Sequence, residues 1–61
     1  MEITLHQQIE AVRRELQMRR RVYRRWVETG KLIQSEADYQ IAAMEAVLET
    51  LKKLDQGELQ L

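Results

Sequence analysis

The sequence predicts an all-α protein, a two-helix antiparallel hairpin that dimerises into a four-helix bundle. Three observations lead there. Proline and phenylalanine are absent, glycine occurs only at 30 and 57, and a third of the residues are charged, a composition of long helices and not of sheets. Apolar residues recur at steps of three, four and seven in two stretches separated by Gly30, which lays each set along one side of a helix. Finally, a chain of 61 residues buries only about 60% of the surface its unfolded form exposes and needs support from elsewhere. Cysteine is absent and His6 is the lone histidine, so disulfides and a Cys/His zinc site are ruled out as staples. Oligomerisation remains.

One domain is expected over residues 1–61, with helix 1 at about 4–29, a turn at 30–34, helix 2 at about 35–54 and a frayed tail at 55–61. Thr4 and Gln7 have the spacing of a capping box, which starts helix 1. Leu5, Ile9, Val12, Leu16, Tyr23 and Val27 form its stripe, with Trp26 at the edge. Arg19 interrupts the stripe, and its stem can lie over the seam while its head stays in water. Glu10 with Arg14 and Glu15 with Arg19 stand four residues apart in the favourable order. Gly30 follows the last residue of the pattern, as a left-handed C-terminal cap does.

For helix 2, Ser35 and Asp38 offer the second cap, with Glu36 in a first turn that favours negative charge. Ala37, Ile41, Met44, Leu48 and Leu51 then step regularly, widened by Val47 and Leu54, so this helix is expected to have the cleaner apolar face. Ala42, Ala43 and Ala46 on another side are read first as helix formers on a surface. The expected dimer core comprises Leu5, Ile9, Val12, Leu16, Ile41, Met44, Leu48 and Leu51. From Asp55 onward the periodicity is lost.

Formal net charge is zero, which argues against binding nucleic acid by bulk charge. The charge is nonetheless divided. Residues 1–31 hold eight basic and four acidic side chains, or +4; residues 32–61 hold two basic and six acidic, or −4. No apolar run approaches the roughly 20 residues of a membrane span, and no signal-peptide core stands at the N-terminus. A cytoplasmic protein without membrane attachment is the expectation.

The arginines at 13, 14, 19, 20, 21, 24 and 25 are the candidate functional feature. Taking about 100° per residue, Arg13, Arg20, Arg21, Arg24 and Arg25 are expected on the side away from the stripe. Such a band suits carboxylates or phosphates; the competing reading is a solvated face. Tyr23 and Trp26 are either a cap on the end of the core or exposed anchors beside the arginines. Glu45, Glu49 and Lys53 read as a solvated ion-pair row. His6 reads as a solvent-facing residue, and no Gly-rich phosphate loop, nucleophilic triad or metal cluster is present in the sequence. A hairpin also has little room for a water-excluding pocket. No catalysis, cofactor, metal or small-molecule substrate is expected.

The stretch from Gln7 to Leu51, notably Met18-Arg19-Arg20-Arg21-Val22-Tyr23, Gly30-Lys31-Leu32, Ala37-Asp38, Ile41 to Met44 and Ala46-Val47-Leu48, resembles a family of very small phage and prophage proteins. That family is in turn similar to the phage quorum-sensing anti-activator, a dimeric helical protein that binds a LuxR-type activator and a pilus-assembly ATPase of its host. Two positions depart from that pattern: Arg24 stands where a proline is expected, and Ile33 where a capping Thr is expected, which leaves capping to Ser35. The resemblance implies a non-enzymatic homodimer in the cytoplasm of a bacterial host, inhibiting or modulating a host protein such as a transcription regulator. The partner-binding residues would be Arg13, Arg20, Arg21, Tyr23, Arg24, Arg25 and Trp26. Two alternatives stand beside it: an RNA- or DNA-binding hairpin dimer resembling the plasmid protein Rop in architecture, and a small phage structural or scaffold component.

Overall fold

The computed structural model describes residues 1–57. Two helices, α1 (Leu5–Glu28) and α2 (Gln34–Asp55), make up the fold. The short connection turns the chain back on itself: Ile9 lies near Lys52 and Asp55, and Val27 near Gln34 and Ile41. The hairpin is therefore antiparallel, as the short turn requires. No helix among the described residues is long and apolar enough to cross a membrane.

Both ends of α1 are closed by the residues the sequence marks. Thr4 Oγ1 accepts from the Gln7 N–H at 3.1 Å while Gln7 Oε1 accepts from the Thr4 N–H at 2.8 Å, so two backbone donors at the helix start are satisfied reciprocally. At the other end Gly30 has φ of +80°. The Lys31 N–H donates to the Trp26 carbonyl at 2.8 Å and the Gly30 N–H to that of Val27 at 3.2 Å, the paired bonds of a Schellman motif. The Thr29 hydroxyl adds a bond to the Arg25 carbonyl at 3.0 Å.

The start of α2 differs from the expectation. The helix opens at Gln34 with Ile33 as its cap, and no side chain bonds the free N–H groups there. Ser35 lies inside the first turn, and Asp38 accepts from Gln34 Nε2 at 2.8 Å. The turn decides this register. The N–H groups of Lys31 and Leu32 both reach back to the Trp26 carbonyl, which leaves Ile33 extended, with its own carbonyl taking the Glu36 and Ala37 N–H groups. Asp55, assigned to the frayed tail, belongs to α2, which ends through Gln56 and a Gly57 with φ of +77°. The rest of that tail, 58–61, lies outside the described residues.

Among the described residues only Ile9, Leu16 and Ala37 are buried. Leu5, Val12, Ile41, Met44, Leu48 and Leu51 are half-buried, because two helices side by side form one layer with neither flat side covered. The chain exposes 5036 Å², against about 4,200 Å² for a compact monomer of this mass. The cleaner apolar segregation belongs to α1 and not to α2, a reversal with a simple cause. The arginines contrast sharply with the stripe of α1, whereas Tyr39, Ala43 and Val47 carry apolar surface around α2, Tyr39 and Val47 both exposed.

Candidate functional site

The arginines do not form a single band. Arg13 and Arg20 follow the buried Ile9 and Leu16 by four residues, which puts them on the same side of the helix, at the edge of the stripe and not opposite it. With Arg24 they run alongside α2. Arg13 and Arg20 line an open cleft of about 600 Å³ together with Leu16, Gln17, Glu45 and Leu48. Arg20 and Arg24 line a second with Ile41 and Asp38. Of the remaining four, Arg14, Arg21 and Arg25 step seven and four along the outer edge of α1, Arg14 also reaching the first cleft, and Arg19 lies on the other border of the stripe beside Glu15.

Ion pairing follows the same division. Arg20 Nη2 meets Glu45 Oε2 across the two helices at 2.7 Å, so the basic half does face the acidic half at this point. Arg13 pairs with Glu10 at 2.9 Å, three residues back, in place of the expected Glu10–Arg14 pair. Arg19, the break in the stripe, is held by Glu15 at 2.9 Å; that hydrogen bond raises the guanidinium pKa, with desolvation acting against it. Glu45 and Glu49 do not form a row with Lys53: Glu45 is taken by Arg20 and Glu49 by Lys52 at 3.7 Å. Among the described residues Arg14, Arg21, Arg24 and Arg25 have no carboxylate within ion-pair distance.

Trp26 is 39% exposed and therefore not core, while Tyr23 is half-buried. Their rings lie 5.7 Å apart, tilted by 32°, a favourable aromatic geometry. Val22 and Trp26 share a shallow depression with Arg21 and Arg25, and a neighbouring one adds Met18, Glu15 and Arg19. Met18 and Val22, which the sequence reading gave no role, extend Trp26 into an apolar strip along α1; their spacing of four was the available signal. His6 is exposed, beside Lys52 and Asp55. No group of three or more His, Cys, Asp or Glu among the described residues could hold a metal ion. Comparison with protein-family models, curated proteins and solved structures finds no match to this chain.

Proposed function

We propose that this chain is a non-enzymatic binding protein, working as a homodimeric four-helix bundle, that engages an acidic and partly apolar protein surface through the outer edge of α1. One observation carries the reading: Arg21 and Arg25, without carboxylate partners among the described residues, border the same depression as Val22 and the exposed Trp26. Adjacent unpaired guanidinium groups repel one another, and exposed indole surface is unfavourable in water, so a lone hairpin gains nothing from this arrangement. A partner that supplies carboxylates around an apolar contact relieves both. Trp, Tyr and Arg are also the residues that dominate binding energy at protein interfaces. The finer assignment, a phage-type protein acting on a bacterial transcription regulator in the host cytoplasm, rests only on the resemblance of residues 7–51.

The test compares wild type with an Arg21→Glu, Arg25→Glu form, both tagged, in capture from bacterial extract with and without nuclease. A protein retained by wild type, insensitive to nuclease and lost with the double variant, supports the reading, provided circular dichroism shows the variant folded. Equal capture by both forms sinks it. A second reading, nucleic-acid binding, has the unpaired arginines in its favour, since phosphates could meet the row Arg14, Arg21 and Arg25. Its mark is a steep salt dependence, roughly 0.9 log unit of affinity per phosphate contact per log unit of salt on duplex DNA.

A further inference from the structure

The two flat sides of the hairpin layer are chemically unlike. One carries Arg13, Gln17, Arg20 and Arg24 of α1 beside Glu45, Glu49 and Lys52 of α2, the residues that line the clefts and hold the interhelical ion pair. On α2 the opposite row is Met44, Val47, Leu51 and Leu54, spaced three, four and three, and on α1 it is Val12, Glu15, Arg19 and Val22, spaced in the same way. Such spacing keeps each row on one side of its helix. The charges at the centre of this second side are Glu15 and Arg19, which neutralise each other at 2.9 Å; Glu36, at the turn end of α2, adds one carboxylate, which accepts from Gln40 at 3.1 Å. It is thus an apolar surface whose one unneutralised charge stands at its end. Val47 at its centre is 45% exposed, and Met44, Leu51 and Leu54 are each only half-buried.

Resting on the homodimer reading above, we infer that this side, and not the charged one, is closed by a second copy of the chain. The centre of this side offers no unneutralised charge for a foreign partner to recognise, whereas an apolar surface of this kind matches itself under two-fold symmetry, where the same patch is used twice. The size also fits. The layer measures 41 Å by 23 Å, hence roughly 900 Å² on a side, and a standard stable interface takes about 800 Å² from each partner. The edge row Arg14, Arg21 and Arg25 then stays outward, while Val22 and Trp26, which lie beside Glu15 and Arg19 as well as beside Arg21 and Arg25, stand at the border that the dimer contact shares with that edge.

Because the chain has no cysteine, single thiols can report the covered side. In a Val47→Cys form the thiol should react with maleimide about tenfold more slowly at concentrations where the mass is twice 7.3 kDa than after dilution to monomer, whereas the Gln17→Cys thiol on the charged side should react at one rate throughout. Two further variants each add one negative charge: Val47→Glu should weaken dimerisation by about a hundredfold or more, since the charge enters an apolar contact, and Gln17→Glu should leave it unchanged. Thiol protection carries the test if Val47→Glu fails to fold. A dimer with the Gln17 position shielded and the Val47 position open overturns the assignment of the side while leaving the homodimer standing. Wild type that remains a folded 7.3 kDa species at millimolar concentration overturns both.

Discussion

Along α1 the stripe that meets α2 is set apart from most of the charged residues, and both ends are capped, by the Thr4–Gln7 box and by Gly30. Along α2 apolar residues spread beyond the side that meets α1, and the N-terminal end has only Ile33 as its cap. The contrast teaches what each helix contributes. One neighbour covers the stripe of α1, which supplies Ile9 and Leu16 to a core where α2 supplies only Ala37, while Met18 and Trp26 stay exposed outside it. A single neighbour leaves α2 incomplete, and its uncovered row is where the second copy is placed above.

Substitutions can break this comparison, beginning with the core. Leu16→Ala removes a side chain that is 2% exposed and should cost about 2 to 5 kcal/mol. That is a large part of the roughly 3 to 9 kcal/mol expected of a 61-residue chain. Urea unfolding at fixed protein concentration reads the change. In the proposed dimer Val47→Ala at the same concentration reads the second copy's contribution instead, and its effect should then vanish on dilution to monomer.

Gly30→Ala comes next. A Cβ at Gly30 would meet nothing within 4 Å, so the expected loss of about 1 to 2 kcal/mol is purely that of the left-handed backbone. A loss below about 0.3 kcal/mol would show that the Schellman turn does not hold the end of α1.

The two N-terminal caps predict opposite signs. Thr4→Ala should destabilise by about 1 kcal/mol, and Ile33→Asp should stabilise by up to about the same amount. Ile33 already has the extended backbone of a cap and is 71% exposed, so the change supplies a missing acceptor while disturbing little packing. If both substitutions prove neutral in thermal unfolding, the difference between the helix starts has no energetic content.

The smallest effect belongs to Arg20 and Glu45. Both are about half exposed, so a double-mutant cycle should give a coupling of only about 0.2 to 1 kcal/mol, falling as salt is added.

The hairpin was legible in the sequence wherever the determinant was local. The Thr4–Gln7 box, the left-handed Gly30 and the Glu15–Arg19 pair each depend on residues within one turn of helix. What escaped depended on the other helix or on the turn between them. Ser35 has good capping chemistry, yet the bonds from Lys31 and Leu32 to Trp26 set the start of α2 one residue earlier. Arg20 belonged, by its spacing from Leu16, to the stripe's edge, and only the position of Glu45 on α2 gives that edge an ion pair. Trp26 fitted either of two environments because periodicity places it at the border of the stripe, where packing and not spacing decides exposure.

The handedness of the turn has a consequence beyond the natural amino acids. At Gly30 the backbone sits at φ of +80°, and that region is the ordinary helical basin for a mirror-image residue. A D-alanine in place of Gly30, within reach of chemical synthesis for so short a chain, would adopt that φ without the backbone penalty of an L residue while denying the unfolded chain much of glycine's freedom, for a gain of about 0.4 to 1 kcal/mol. The two enantiomers of alanine, identical in mass and polarity, should therefore move the stability of this hairpin in opposite directions.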